Sequence, residues 1–283
     1  MTSQHIGIIG AGQMGQGIAE VFWRAGHTIY LFDADPFRLD QAYQNLIERL
    51  ERAIDKGTES ADEWEHFLDR LVVCIRLSGM ASCTFVIEAI VEDIDVKAKL
   101  FSDLGTVVDA PCIIATNTSS LSVSDLAAHV KAPERFLGVH FFNPAYHMPL
   151  VEVIPHTQTD TAVSDRAHAL LTEVGKTAIV CSDSPGFIVN RLLLPMINQA
   201  ALLCQNGVAT AADIDTTMKL GANFPMGPLA LADLIGLDTC VLILNSLAHA
   251  CDNTTYKPAD ILLNYVKDGK LGVKSKAGFF NYQ

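Results

Sequence analysis

The sequence predicts an α/β chain in which a doubly wound, mostly parallel sheet is followed by a second, all-helical domain. Three observations carry that expectation. Short apolar runs alternate with helical patterns through the first two thirds of the chain, a glycine-rich turn follows the first of those runs, and strand-like runs cease after Ser182-Asp183-Ser184-Pro185-Gly186.

The first strand, His5 to Ile9, breaks into Gly10-Ala11-Gly12-Gln13-Met14-Gly15, after which Ile18, Val21 and Phe22 recur at helical spacing. A second strand, Thr28 to Phe32, ends in Asp33, 21 positions past Gly12. That is close to the roughly 20 residues at which an acid reaches a nucleotide ribose in a Rossmann-like βαβ unit. Gly10 permits the tight turn, Gly12 removes a side chain where a pyrophosphate must approach, and Gly15 lets the helix sit close on the sheet. The helix N–H groups and dipole then face the phosphates. Asp33 favours NAD, because it would repel a 2′-phosphate, while Arg38 leaves NADP open. The alternative is a glycine-rich βα turn that binds no nucleotide.

Beyond this unit, Pro36 to about Arg52 reads as a helix, and a polar stretch from Asp55 to Asp62 leads into another short helix, so the region is a helical excursion from the sheet. Strands are expected at Leu71 to Ile75, Thr84 to Ile90, Cys112 to Thr116, Phe136 to Phe142, Leu150 to Ile154 and Ala178 to Cys181, with helices at Val96 to Val108 and Thr161 to Val174. Phe187 to Cys204, Ala211 to Lys219, Leu229 to Asn245 and Pro258 to Lys267 read as the helices of the second domain. The boundary falls near residue 184, giving a dinucleotide-binding domain at 1–184 and a helical domain at 185–283. Apolar helices such as Leu192 to Leu203 and Leu229 to Leu244 exceed what a domain of ~100 residues hides, which predicts dimerisation through it or packing against the first domain.

A chain of 283 residues with 49% hydrophobic and 18% charged residues is long and apolar enough for two packed domains and is not disordered. Its net charge of −12 offers no basic face for nucleic acid. No apolar run reaches the roughly 18 residues of a membrane span. The seven cysteines are scattered and never spaced as C-x-x-C, and Met1 to His5 carries no basic-then-apolar leader, so reduced thiols and a cytoplasmic location are expected. No H-E-x-x-H occurs, and no metal site is expected.

Removing a proton from an alcohol calls for a base near the carboxyl ends of the strands, where a doubly wound sheet binds its ligands. His140 ends the strand from Phe136, and the next strand carries Glu152. A carboxylate reaching the imidazole would fix its tautomer and favour the imidazolium. Either residue could instead be structural, His140 packed at a strand end and Glu152 on a solvent face between Val151 and Val153. Asn117-Thr118-Ser119-Ser120 follows another strand and reads as polar ligands or as a helix N-cap, with Ser122 or Ser124 similarly placed. Asn190, among apolar neighbours, is a substrate contact or an interhelical hydrogen-bonder.

Several motifs together resemble the short-chain (S)-3-hydroxyacyl-CoA dehydrogenases, in particular the bacterial 3-hydroxybutyryl-CoA dehydrogenases. They are the Gly10 to Ala19 turn, Val86-Ile87-Glu88-Ala89-Ile90-Val91-Glu92, Asn117 to Leu121, Gly138-Val139-His140-Phe141-Phe142-Asn143-Pro144, Asp183 to Arg191, Asp213-Ile214-Asp215, Met226-Gly227-Pro228 and Lys276-Ala277-Gly278-Phe279-Phe280. The resemblance implies a reversible NAD-linked oxidation of an (S)-3-hydroxyacyl-CoA to the 3-ketoacyl-CoA, with a short acyl chain favoured, His140 as acid and base, Glu152 as its partner, and Ser119 and Asn190 orienting the substrate. The implied cofactor contacts are Gly10, Gly12, Gln13, Met14, Gly15, Asp33, Ala89, Glu92, Lys97, Asn117, Ser119, His140 and Asn143. It also implies basic residues of the excursion, Arg49, Arg52 and Lys56, on the CoA phosphates, and a homodimer joined through the helical domain. Arg49, Arg52 and Lys56 could equally form a solvated face with Glu48, Glu51 and Asp55. Two other readings stay open: a related dehydrogenase of a free hydroxy acid, resembling gulonate dehydrogenases, and a non-enzymatic NAD-binding dimer.

Overall fold

The computed structural model describes residues 3–60 and 64–283. The chain divides into two compact units, Met1–Asp183 and Ser184–Gln283.

The first unit is an eight-stranded sheet with strands β1 (His5–Ile9), β2 (Thr28–Phe32), β3 (Leu71–Cys74), β4 (Phe85–Glu88), β5 (Ile113–Thr116), β6 (Phe136–Phe141), β7 (Leu150–Pro155) and β8 (Thr177–Val180). Their spatial order is β3-β2-β1-β4-β5-β6-β7-β8. The chain leaves β1 first toward β2 and later toward β4, and this reversal opens a crevice at the carboxyl ends of β1 and β4, the usual ligand position in such sheets. All neighbouring strands run parallel except β6 and β7. That antiparallel pair sets His140 directly opposite Glu152. Central strands are apolar on both faces because helices cover both, and Ile6, Ile8, Ile87, Ala115 and Val139 are buried.

Helix α1 (Gln13–Arg24) begins at the glycine turn and buries Ile18, Ala19, Phe22 and Trp23 against the sheet. Each such large side chain contributes roughly 1.5–3 kcal/mol. Helix α2 (Pro36–Asp55) starts on Asp35, whose carboxylate accepts from Phe37 N at 3.0 Å, with Pro36 fixing the first turn. It runs three residues beyond the predicted end at Arg52. It is followed by α3 (Trp64–Asp69); Asp62, where the predicted polar stretch ends, lies outside the described residues. Helix α4 (Ile94–Leu104) is shorter than expected and shifted toward the N-terminus, because Asp93 caps its first turn through Asp95 N and Val96 N and Gly105 follows its last residue. Helices α5 (Val123–Ala127) and α6 (Thr161–Glu173) complete the unit. Ser122, rather than Ser124, is the N-cap of α5, accepting from Asp125 N.

The second unit packs α7 (Val189–Gln205), α8 (Ala211–Gly221), α9 (Pro228–Ile235), α10 (Leu237–Ala250) and α11 (Asp260–Lys267) around Leu194, Ile197, Leu229, Leu237, Leu244 and Leu262. The helix expected from Leu229 to Asn245 is two helices bent by 97°. Gly236 sits at φ +103 between them, a conformation that an L side chain rarely adopts, and Leu237 N turns away to Leu271 O. The predicted start of the first helix at Phe187 is also corrected. Gly186 and Phe187 both hold positive φ, 75° and 49°, so helical backbone begins only at Val189. Among the described residues no single helix is long and apolar enough to cross a membrane.

Candidate active site

The glycine turn is built as a cradle. Gly10 has φ +106, and a Cβ there would stand 2.5 Å from the Ala89 carbonyl. A Cβ at Gly15 would overlap the Gly10 carbonyl oxygen, whereas one at Gly12 would meet nothing within 4 Å. The open side at Gly12 coincides with the N-terminus of α1, which has no side-chain cap and no acid in its first turn. Its first N–H groups are therefore available to an anion. Gln13 is exposed and Met14 half-buried on that turn. Asp33 accepts from Ala11 N at 2.7 Å and from Asp35 N at 2.9 Å, so its carboxylate is fixed at the rim. Beside it a hollow lined by Phe32, Asp33, Pro36, Leu39, Ile75 and Arg76 lies at the carboxyl ends of β2 and β3. An uncapped helix start, an open glycine and a fixed acid beside an apolar hollow together fit a dinucleotide. Arg38 stands 3.8 Å from Asp35, with both side chains exposed.

On the other side of the crevice, His140 Nδ1 lies 2.7 Å from Glu152 Oε2. The two are 5% and 1% exposed, which excludes the solvent-face alternative for Glu152. Beside an ionised carboxylate, which only accepts, a neutral imidazole donates from Nδ1 and keeps its lone pair on Nε2. The ring of Phe142 packs 4.5 Å from that of His140. Asn117 ties β5 to this strand, its Oδ1 accepting from Phe141 N at 2.8 Å. Asn143 is exposed in the connection after β6.

Glu92 gathers the turn after β5. Its Oε1 accepts from Thr118 Oγ1 at 2.6 Å, Ser119 N at 2.8 Å and Ser120 N at 2.9 Å. Burial works to raise its pKa, but Lys97 and these hydrogen bonds outweigh it and hold the carboxyl below its ordinary value. Lys97 bridges Glu88 at 2.6 Å and Glu92 at 3.3 Å, and its side chain is fully enclosed. Ala89 is half-buried at the end of β4.

The remaining sequence-predicted residues lie elsewhere. Arg49 is engaged with Glu20 at 3.1 Å, holding α2 to α1, while Arg52 pairs with Glu48 at 2.7 Å on an exposed helix face and Lys56 is exposed just after α2. Asn190 is buried in the first turn of α7, in the second unit. Two residues escaped the sequence reading. Glu88 is completely buried, and its signal was a charge inside the apolar run Val86-Ile87-Glu88-Ala89. Lys176, whose pKa burial lowers, donates to the carbonyls of Ala145, Tyr146 and Met148 at 2.7, 3.0 and 2.8 Å and so staples the connection between β6 and β7. No local pattern announces it.

The doubly wound sheet and its open glycine turn define a dinucleotide-binding protein of the Rossmann class. Residues 5–184 match the family described as "3-hydroxyacyl-CoA dehydrogenase, NAD binding domain", and residues 186–282 match "3-hydroxyacyl-CoA dehydrogenase, C-terminal domain". The chain belongs to the NAD-dependent 3-hydroxyacyl-CoA dehydrogenase family. It is 42% identical to a 3-hydroxybutyryl-CoA dehydrogenase of Bradyrhizobium diazoefficiens over 98% of this chain and 95% of the relative. It is similar in structure to (S)-3-hydroxybutyryl-CoA dehydrogenase PaaH1 from Ralstonia eutropha, with TM-score 0.95, 37% identity and all of both chains covered. FadB2 of Mycobacterium tuberculosis matches equally over both full chains, with TM-score 0.95 and 39% identity.

Proposed function

We propose that the chain catalyses the reversible NAD-linked oxidation of a short (S)-3-hydroxyacyl-CoA, 3-hydroxybutyryl-CoA above all, to the 3-ketoacyl-CoA. The observation that carries this reading is the buried contact of His140 Nδ1 with Glu152 at 2.7 Å, on the strand pair beside the cofactor crevice. Similarity to dehydrogenases named for 3-hydroxybutyryl-CoA supports the substrate.

In this reading the neutral imidazole takes the C3 hydroxyl proton at Nε2, and Glu152 stabilises the imidazolium that results. In the reverse direction the same atom returns the proton to the carbonyl oxygen. General base catalysis of this kind contributes about 10² to 10⁴ in rate. NAD, when bound, supplies the two-electron acceptor. Ser119 and Asn190 orient the C3 oxygen and the thioester. Gly10, Gly12, Gln13, Met14 and Gly15 receive the pyrophosphate, and Asp33 the adenosine ribose. Ala89, Asn117 and Asn143 border the nicotinamide half, while Arg52 and Lys56 offer exposed charge to the CoA phosphates.

Residues 1–184 thus bind the dinucleotide, and residues 185–283 bind substrate and dimerise. Exposed Leu192, Leu220, Leu234 and Leu242 in the second unit support a homodimer. Seven free thiols are consistent with the cytoplasm.

Purified protein is expected to consume NADH when given acetoacetyl-CoA, followed by absorbance. Folded protein that binds NADH yet leaves acetoacetyl-CoA unreduced would overturn the proposal.

A further inference from the structure

Gln16 lies buried one turn into α1, and the proposed chemistry does not use it. It holds two successive carbonyls of the glycine turn. Gln16 N donates to Gly12 O at 2.9 Å, and Gln16 Nε2 donates to Ala11 O at 2.8 Å. In a trans peptide the N–H points opposite to the C=O. With both carbonyls drawn toward Gln16, the N–H groups of Gly12 and Gln13 face the other way, out of the uncapped start of α1, where an anion is received. The peptides before them are fixed from the sheet side, Gly10 N donating to Phe32 O at 2.8 Å and Ala11 N to Asp33 Oδ2 at 2.7 Å. Gly12 has no side chain to restrict its backbone, so this freedom has to be removed by such contacts.

The Gln16 amide is set one way round by α2. Its oxygen accepts from Asn45 Nδ2 at 3.2 Å and from Arg49 Nη2 at 3.4 Å. A guanidinium only donates, so the amide oxygen turns to α2 and the NH2 group is left for Ala11. Asn45 and Arg49 stand one turn apart on α2, as Gln16 and Glu20 do on α1. Glu20 is buried and completes the contact, meeting Arg49 at 3.1 Å and Arg24 at 2.9 Å.

We infer that Gln16 is a positioning residue of the cofactor turn. It pins the Ala11 and Gly12 carbonyls so that the N–H groups of Gly12 and Gln13 stay presented to the pyrophosphate, and Asn45 and Arg49 hold it in that orientation. This rests on the reading of the glycine turn as the pyrophosphate site.

Ligand binding to the full-length protein tests the role, with NADH followed by its fluorescence and ADP-ribose and adenosine by its displacement. ADP-ribose keeps the pyrophosphate, whereas adenosine lacks it. Gln16→Met retains the length of the side chain and removes both amide contacts. It is expected to weaken NADH and ADP-ribose alike by about threefold to tenfold, the effect of losing one or two buried hydrogen bonds, and to leave adenosine unchanged. Asn45→Ala, on a half-buried helix face, should weaken NADH by about twofold, and this loss should vanish in the Gln16→Met background. Folded Gln16→Met that binds NADH and ADP-ribose as the parent does would overturn the role of Gln16, and so would an equal weakening of adenosine, which marks a general loosening of the unit. Should Gln16→Met not fold, parent-like NADH affinity in Asn45→Ala is the result that overturns it. A parent chain that binds ADP-ribose no tighter than adenosine overturns the reading of the glycine turn itself, and the role of Gln16 with it.

Discussion

Both units bury carboxylates, but they satisfy them in different ways. In the first, Glu88, Glu92 and Glu152 each meet a basic side chain near the carboxyl ends of the strands. In the second, the carboxylates of Asp215 and Asp233 act as clamps on the backbone. Asp215 accepts from Leu229 N and Ala230 N at the start of α9, both at 2.8 Å, and so caps that helix. Asp233 accepts from Phe279 N, Phe280 N and Tyr282 Oη, tying the C-terminal segment to α9. Burial first, and the Asp233 hydrogen bond next, raise the Tyr282 phenol. A carboxylate beside a base can steer charge, whereas one whose partners are all amides and a phenol serves only to hold the backbone. Glu152, which meets the imidazole of His140, belongs to the proposed chemistry, whereas Asp215 and Asp233 belong to the architecture of the second unit.

Three changes can break or sharpen that contrast. The largest effect is expected at His140→Gln, which should leave NADH affinity intact and cut turnover by at least about 10² in steady-state assays. Near-normal turnover would remove His140 from the reaction and with it the chemical half of the comparison. Asp233→Ala should cost about 2–4 kcal/mol in denaturant unfolding, because two backbone donors and a phenol lose their acceptor. The kcat of the folded fraction should not change. A fall in kcat without loss of stability would move Asp233 to the chemical side.

The smallest effect concerns acid. The Glu92 carboxyl is held below its ordinary value in the folded chain, so the unfolded chain binds its proton more readily. Its stabilising contribution is therefore complete above the ordinary carboxylate range and is lost as pH falls through that range toward the lower folded value. Urea midpoints measured from neutral pH down into the carboxylate range should fall less steeply in Glu92→Gln than in the parent. Parallel curves would show that Lys97 does not hold this charge.

Much of the fold was legible because its causes are local. The short apolar runs of β1 and β2, the helical period of α1 and α2, and the end of strand-like runs near residue 184 follow from which residues neighbour one another along the chain. The single helix expected across Gly236 failed because apolar periodicity continues through a glycine whose positive φ breaks the backbone. In the site, the glycine turn, Asp33 and His140 stood at strand ends where a reader would look. Glu152 was ambiguous, since a charge flanked by valines suggests a half-exposed strand. Its burial comes from β6 and β8 pairing on either side and from layers above and below the sheet. Glu88 and Lys176 were missed because their partners, Lys97 and Thr116 in one case and three carbonyls in the other, lie elsewhere in the chain.

The sequence alone determined the alternation of strands and helices, the family to which its motifs belong, and the residue types available at each strand end, since all of these are written in spacing along the chain. Only the tertiary structure decided which charge meets which. That His140 faces Glu152 depends on β7 running antiparallel and in one register, and that Glu92 holds the Ser119 turn depends on α4 bringing Lys97 beneath it. Pairings of this kind are fixed by burial and strand register between distant segments, and no periodicity within either segment encodes them.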